Sequence, residues 1–211
     1  MTDINNFIEY TNVKRDATIA QIRTLCKTAI INKYPKVCTN SCYTRICKEE
    51  LRDTDIMIVT TAGFPNGTAS GRVKTYEAIV AAEEGAKEID YVMNIGLLKD
   101  RQAKELMNEL KMVVKNTRGI AEVKVIIEAS LLTEEEIIRS CEMAKEAGAA
   151  YIKTGTGFAG PATVDMVKLI RKTVGKDMKI KAAGGIKDIE TARSLLAAGA
   201  DFIGTSTAIT E

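Results

Sequence analysis

Short apolar runs alternate along this chain with longer segments in which apolar residues return every three or four positions. The short runs contain few interspersed polar residues, which is typical of strands buried on both faces of a parallel sheet. The longer segments have the periodicity of amphipathic helices. The pattern predicts eight strands, at residues 7–11, 36–38, 56–60, 89–93, 123–128, 151–153, 179–182 and 202–204.

Helix boundaries are marked by specific residues. Thr133 and Glu136 have the spacing of a capping box, and Ile137, Cys141 and Ala144 then form one apolar face. Three segments also resemble one another, because each places Gly-Ala between the end of a helix and the next strand. The glycines are Gly85, Gly148 and Gly199, at positions where a helix often ends with a left-handed residue.

Strictly alternating strands and helices, eight of each, are typical of a TIM (β/α)₈ barrel. We expect one catalytic domain over residues 1–211, with a short N-terminal helix and a last helix truncated to about one turn. The alternative is a doubly wound open sheet.

Composition narrows the class of protein. The chain has 211 residues, is 45% hydrophobic and 27% charged, and has a formal net charge of only +2. We therefore expect neither nucleic acid nor a membrane as partner, since there is no basic patch and no run of about 18 apolar residues. The first ten residues lack the features of a signal peptide, and five cysteines make an odd count, so we expect a cytoplasmic protein with reduced thiols.

The absence of histidine restricts the chemistry most. Ser-His-Asp and Cys-His catalysis and the HExxH zinc motif are excluded, so acid–base chemistry depends on Lys, Asp, Glu, Tyr or Cys. Cys38, Cys42 and Cys47 are close in sequence, but a thiolate metal site usually has four ligands in paired spacing. We expect no metal and no cofactor.

Charged residues cluster near the carboxyl ends of the predicted strands, where barrels of this type place their active sites. Residues two apart on a strand share a face, so Lys124, Ile126 and Glu128 are expected to point inward together. Other polar residues at these ends are Asp90, Asn94, Lys153, Lys181, Thr205 and Ser206. A single such lysine is usually only a solvated side chain, but several in one barrel mouth indicate a functional site.

Lys153 and Lys181 are one βα unit apart and should therefore be neighbours around the barrel. A neighbouring cation and partial desolvation favour a neutral amine, which can form a Schiff base with a carbonyl compound. The segments AAGGI (182–186) and GTSTA (204–208) follow the last two strands. Glycine amides and a helix N-terminus there would suit a phosphate group.

These motifs resemble the deoxyribose-phosphate aldolase family of class I aldolases. The similarity rests on EIDYVMNIG, VKVIIE, YIKTGTGF, IKAAGGI and IGTST, in order on successive strands, and extends from about residue 7 to 208. It implies a TIM barrel, usually a homodimer, that reversibly cleaves 2-deoxy-D-ribose 5-phosphate to D-glyceraldehyde 3-phosphate and acetaldehyde. The partners implied are a sugar phosphate and an aldehyde.

The resemblance also implies roles for individual residues. Lys153 would form the Schiff base, Lys181 would favour its neutral form, and Asp90 would move protons with Lys181 and a water molecule. The substrate-binding positions implied are Thr11, Lys124 and Thr154. The phosphate-binding positions implied are Gly157, Gly184, Gly185, Ser206 and Thr207.

Three features depart from the family pattern. The chain has Glu9-Tyr10-Thr11 where Asp-His-Thr is common, Gly155 replaces a serine, and the loop at 158–163 is slightly shorter. Two alternatives stay open: a Schiff-base lyase for another sugar phosphate, and a non-catalytic phosphosugar-binding barrel. Borohydride reduction with each candidate aldehyde separates them, because it traps an amine only on a Schiff-base former.

Overall fold

Eight parallel strands form a closed barrel in a computed structural model that describes residues 3–209. The strands follow one another around the barrel in chain order, and β8 closes it by pairing with β1. Their bounds are β1 Ile8–Asn12, β2 Lys36–Thr39, β3 Met57–Ala62, β4 Glu88–Val92, β5 Glu122–Ile126, β6 Tyr151–Lys153, β7 Lys179–Ala183 and β8 Phe202–Thr205. The predicted (β/α)₈ barrel is confirmed, and the open-sheet alternative is excluded by the pairing of β8 with β1.

Helices cover the outside of the barrel between consecutive strands. They are α1 Ile19–Ile31, α2 Thr44–Glu50, α3 Gly71–Glu84, α4 Ile95–Lys99, α5 Ala103–Thr117, α6 Glu134–Ala147, α7 Val164–Val174 and α8 Ile189–Ala197. The short N-terminal helix is a 3₁₀ turn at Ile4–Phe7. After β8, residues 206–207 form a bend and 208–209 have no regular structure, in place of the expected helical turn. The ends of the predicted domain, residues 1–2 and 210–211, lie outside the described residues.

The predicted helix ends agree with the structure. Thr133 and Glu136 form a complete capping box at the start of α6. Gly85, Gly148 and Gly199 have φ angles of 125°, 85° and 114°, a region that residues with a side chain rarely adopt. Helix ends are therefore determined locally, by hydroxyl caps at one end and glycine at the other.

Strand β5 is shorter than predicted. It ends at Ile126, and Glu128 has a left-handed backbone with φ of 49°. Glu128 therefore does not continue the inward face that begins with Lys124 and Ile126. Its carboxylate instead accepts hydrogen bonds from the amide (3.0 Å) and hydroxyl (2.5 Å) of Thr156 and holds the loop after β6.

The interior of the barrel is charged. Outward-facing residues of the strands, such as Val123 and Val125 on β5, belong to the apolar core that includes buried residues of the helices. TIM barrels usually fill the inside with Val, Ile and Leu. Here the inward positions include Glu9, Glu88 and Lys124, each at most 1% exposed. The apolar layer therefore stabilises the barrel from outside, while the inside is left for charged groups.

None of the helices within residues 3–209 combines the length and apolar content that crossing a bilayer requires.

Candidate active site

Two lysines and one aspartate meet at the carboxyl ends of neighbouring strands. Lys153 on β6 and Lys181 on β7 are register partners, so their side chains leave the barrel wall side by side. Lys153 Nζ lies 2.7 Å from Asp90 Oδ2, and Lys181 Nζ lies 2.6 Å from the same oxygen. All three residues are at most 2% exposed. The structure thus brings together the three predicted catalytic residues.

Asp90 and the lysines around it favour one another's charged forms. Burial alone would raise the pKa of Asp90, but the ammonium groups of Lys153, Lys181 and Lys124 outweigh it and hold that pKa well below its usual range. Burial alone would lower the pKa of Lys181, but Asp90 and other anionic neighbours raise it above its ordinary value. Asp90 is therefore an anion and Lys181 a cation at neutral pH.

Glu9 on β1 is a member of this group that the sequence reasoning did not place in the site. Its carboxylate accepts hydrogen bonds from Lys181 and, at 2.5 Å, from Lys124. Glu9 is fully buried. It lies two residues before Thr11 on the same strand, and that spacing was the available signal for an inward-facing carboxylate.

Lys124 lies beneath the site and does not line the cavity. Its Nζ is 2.5 Å from oxygens of both Glu9 and Glu88 and 3.6 Å from Asp90 Oδ1. The side chain is fully buried, and these carboxylates raise its pKa although burial opposes them. Carboxylates therefore surround its ammonium group below the cavity, and a direct contact of Lys124 with the substrate stays a prediction.

A cavity of about 640 Å³ opens above the lysines at the carboxyl ends of the strands. Among the predicted site residues, its lining includes Lys153, Lys181, Thr11, Gly157, Gly184, Gly185 and Ser206. Residues of the lining that the sequence reasoning did not single out include Tyr10, Asn12, Lys14, Gln21, Phe158 and Lys187. Tyr10, Asn12, Lys14 and Gln21 lie on the β1–α1 segment, where only Thr11 had been proposed as a substrate contact.

The glycines after β7 are required by the close packing of two loops. Gly184 and Gly185 have φ angles of 115° and 71°. A Cβ atom at Gly184 would lie 2.7 Å from the carbonyl oxygen of Gly160. A side chain at position 184 would therefore push apart the loops after β6 and β7, which together line the cavity.

Two predicted contact residues are committed to the protein itself. The Thr154 hydroxyl bonds to both the amide and the carbonyl of Ala183, each at 3.0 Å, and joins β6 to β7. The Thr207 amide donates to the hydroxyl of Thr205 at 3.0 Å, and Thr207 is not among the cavity-lining residues. The Thr154 hydroxyl and the Thr207 amide thus have partners within the protein, and the substrate contact of Thr154 and the phosphate contact of Thr207 stay predictions.

Aromatic side chains flank Lys153. The rings of Phe64 and Phe158 meet edge to face, with centroids 5.7 Å apart. Lys153 Nζ lies 5.7 Å from the centroid of the Phe64 ring. The Lys153 amine therefore has both a carboxylate and an aromatic ring near it.

The cysteines that are close in sequence are not brought together as ligands. Within residues 3–209, the one set of three potential metal-ligating side chains that converges is Glu9, Cys38 and Asp90. The Sγ atom of Cys38 lies 3.6 Å from Asp90 Oδ2, and burial raises the pKa of this thiol to about 12. Lysine ammonium groups already contact the carboxylates of this set, so the donors suit ion pairs better than a metal.

Comparison with known proteins gives a consistent family. The chain matches the DeoC/LacD family aldolase profile over residues 7–209. A protein of Natranaerobius thermophilus named deoxyribose-phosphate aldolase is 46% identical over 210 residues, covering 99% of this chain and 96% of the relative. One of the same name from Clostridium tetani is 44% identical over 208 residues, covering 98% and 96%.

Solved structures agree with these relatives. An aldolase named QR15 has a TM-score of 0.93 at 35% identity, covering 98% of this chain and 93% of the other. A tetrameric deoxyribose phosphate aldolase from Aeropyrum pernix has a TM-score of 0.91 at 28% identity, covering 97% and 87%.

Proposed function

Because the chain belongs to the DeoC/LacD family of aldolases, we infer that it catalyses the reversible cleavage of 2-deoxy-D-ribose 5-phosphate. The products are D-glyceraldehyde 3-phosphate and acetaldehyde, and the reaction proceeds through a lysine Schiff base. The observation that supports this assignment most directly is the pair of lysines on one oxygen of Asp90 at the floor of the cavity.

Lys153 is proposed as the nucleophile. Its free amine adds to the C1 carbonyl carbon of the open-chain sugar, and the carbinolamine loses water to give an iminium ion. The C3 hydroxyl then loses its proton while the C2–C3 bond breaks. The bonding electrons move to C2 and form an enamine on Lys153, and the aldehyde phosphate leaves. Protonation of C2 and hydrolysis of the resulting iminium release acetaldehyde and restore the amine.

Asp90 and Lys181 are proposed to handle the protons of these steps. Asp90 is fully buried and does not line the cavity, so it reaches the substrate through Lys181 or a bound water molecule. Lys181 lines the cavity and is held charged by Asp90 and Glu9. We propose that Asp90 accepts the C3 hydroxyl proton through a water molecule, that Lys181 donates a proton to C2 of the enamine, and that the proton on Asp90 then restores Lys181.

The phosphate group of the substrate is proposed to bind at the ends of β7 and β8. Gly184, Gly185 and Ser206 line one side of the cavity, and Lys187 lies beside them. Gly157, on the loop after β6, lines the same cavity and is retained in the proposed phosphate site. Thr11 lines the cavity at the end of β1, the strand that pairs with β8, and is retained as a substrate contact. Amide groups of glycine-rich turns suit an anion, and one cation adds to its binding.

The activity is tested by incubating the protein with 2-deoxyribose 5-phosphate and measuring both products, with ribose 5-phosphate and unphosphorylated deoxyribose as comparisons. Borohydride added during turnover should add the mass of a reduced two-carbon unit to Lys153. Trapping with a different sugar phosphate only would support the alternative lyase. No trapping with any aldehyde would support a binding protein without catalysis.

We propose in addition a homodimer in the cytoplasm. Val73 and Tyr76 on α3 are 60% and 69% exposed, a degree of apolar exposure that suits a contact between copies. All five cysteines are free in the structure, which suits a reducing compartment. Light scattering coupled to size-exclusion chromatography distinguishes a dimer from the tetramer described for the Aeropyrum relative.

A further inference from the structure

A chain of buried charges extends from the active site down the inside of the barrel. We define the interior ion chain as Glu9, Lys124, Glu88 and Lys36. Each of these residues is at most 4% exposed. The proposed mechanism uses neither Lys124, nor Glu88, nor Lys36. These three charged residues occupy interior positions that aliphatic residues usually fill in TIM barrels.

Contacts along the interior ion chain are continuous. Lys124 Nζ lies 2.5 Å from both Glu9 Oε2 and Glu88 Oε2. Glu88 Oε1 lies 2.5 Å from Lys36 Nζ and accepts a hydrogen bond from the Tyr151 hydroxyl at 2.7 Å. Lys36 Nζ also lies 3.7 Å from the centroid of the Phe202 ring. The interior ion chain therefore ends in a buried ion pair that contacts neither Lys153 nor Lys181.

These contacts link four buried lysines (Lys36, Lys124, Lys153 and Lys181) with three buried carboxylates (Glu9, Glu88 and Asp90), and Glu128 is a further buried carboxylate near the mouth of the barrel. A buried charge is costly unless it is paired, so the protonation of each lysine depends on the carboxylates that it contacts. Lys181 contacts two carboxylates, whereas Lys153 contacts only Asp90, which it shares.

We propose that Lys36 and Glu88 are positioning residues of the aldolase reaction, because their charges, relayed through Lys124 and Asp90, set the pH at which Lys153 becomes a nucleophile. Neither residue touches the substrate. The proposal rests on the proposed function of Lys153. In the low-dielectric interior of the barrel, a buried charge changes the energy of another charge over distances at which water would screen the interaction.

Several other titratable groups lie around Lys153. Asp90 faces it from β4 and Lys181 from β7, and the Cys38 thiol of β2 lies beside Asp90. Glu9 on β1 and Lys124 on β5 form the next layer. At the cavity side, Lys14 and Lys187 line the mouth. All of these stay unchanged in the variants below, so only the charge at position 36 or 88 is altered.

The test measures how fast acetaldehyde is trapped on Lys153 by cyanoborohydride as a function of pH, in Glu88→Gln and Lys36→Met. Removing the negative charge of Glu88 favours the neutral amine, so the acid limb should move to lower pH. Removing the positive charge of Lys36 favours the ammonium, so the limb should move to higher pH. Each shift should be about one pH unit, the effect of a unit charge about 10 Å away at an effective dielectric constant of about 20.

Opposite shifts distinguish charge from structure. Loss of packing in either variant would lower the trapping rate without moving the two limbs in opposite directions. Glu109→Gln is the matched control, because it neutralises a partner of another buried ion pair, with Lys74 at 2.6 Å, between α5 and α3. Its limb should stay in place. Unmoved limbs, or limbs that move the same way in both variants, overturn the proposal.

Two further measurements separate failure of this proposal from failure of the proposed function and from failure of the variants to fold. If the wild type shows no adduct on Lys153, the proposed function itself fails, which is a different result from unmoved limbs. If the two interior variants do not fold, Lys179→Glu and Lys179→Gln replace them, because Lys179 is half-exposed with Nζ 3.2 Å from the Tyr151 hydroxyl. At low salt the glutamate variant should move the limb to higher pH than the glutamine variant, and coincident limbs contradict the proposal.

Discussion

Lys153 and Lys181 are register partners on adjacent strands, and their Nζ atoms lie 2.7 and 2.6 Å from the same oxygen of Asp90. One carboxylate oxygen thus serves two ammonium groups. The arrangement holds both amines at the floor of the cavity, and it makes each lysine's charge depend on the other.

Replacing the nucleophile should abolish the reaction without unfolding the barrel. In Lys153→Arg the positive charge is kept, but a guanidinium cannot form the iminium ion, so kcat should fall by several orders of magnitude. Mass spectrometry after borohydride treatment should find no stoichiometric adduct. Exposed Lys99→Arg is the matched control and should leave both activity and adduct unchanged. A full adduct on another lysine in Lys153→Arg would show that the nucleophile is misassigned.

Removing the companion cation should change the pH profile. In Lys181→Leu the repulsion on Lys153 is lost, and Lys153 no longer shares Asp90 Oδ2 with a second ammonium group. Both effects favour the ammonium form, so the acid limb of kcat/KM should move to higher pH. Because the pKa of Lys181 is raised by its carboxylate neighbours, Lys181 stays charged across the neutral range and its effect is present there.

Lys181→Arg serves as the control for this profile, since it keeps a cation at the same position. Its acid limb should stay near that of the wild type even if proton transfer, and with it the plateau, is reduced. Equal limbs in Lys181→Leu and in the wild type would argue against a charge role.

A negative charge at the proposed phosphate site should discriminate between substrates. Ser206→Asp should reduce kcat/KM for 2-deoxyribose 5-phosphate by about 10- to 100-fold, corresponding to loss of one charge-assisted hydrogen bond at about 1.5–3 kcal/mol. Unphosphorylated deoxyribose should be affected much less. Thr207→Asp, next to Ser206 but outside the cavity lining, should have a smaller effect. Equal losses for both substrates in Ser206→Asp would place the phosphate elsewhere.

Chelation should leave the activity intact. Glu9, Cys38 and Asp90 converge, but ammonium groups of lysine contact the carboxylates, and a thiol with a pKa of about 12 is a poor ligand at neutral pH. Dialysis against EDTA followed by metal analysis and assay checks this. Activity that is lost on chelation and restored by zinc alone would require a different mechanism.

Breaking the buried pair between α3 and α5 should destabilise the fold. Lys74 Nζ donates to Glu109 at 2.6 Å and to the carbonyls of Gly67 and Val92 at 2.8 and 2.9 Å, so all three protons are used. Lys74→Met leaves Glu109 buried without its cation, which should cost about 3–5 kcal/mol. Thermal and urea unfolding measure this loss. Lys111→Met, which removes an exposed pair, should change stability by less than about 1 kcal/mol.

A large part of this protein is readable from local sequence. The eight strands and the helices between them follow from apolar periodicity, and capping residues such as Thr133 mark their boundaries. Lys153, Lys181 and Asp90 could be placed at one barrel mouth, because parallel strands in a closed sheet bring their carboxyl ends together. Each of these inferences depends on residues close in the chain or on one repeating unit.

What only the tertiary structure decided is which polar groups are left for a substrate. The sequence shows that Lys124 and Thr154 lie near strand ends. It does not show that Lys124 pairs with Glu9 of β1, or that the Thr154 hydroxyl bonds to the backbone of Ala183 on β7. Likewise, the sequence does not show that Glu128 has a left-handed backbone, or that β5 ends two residues earlier, at Ile126. Partners of this kind come from strands distant in the chain. They are chosen by which buried groups must be neutralised or hydrogen-bonded, and that depends on the closed barrel as a whole.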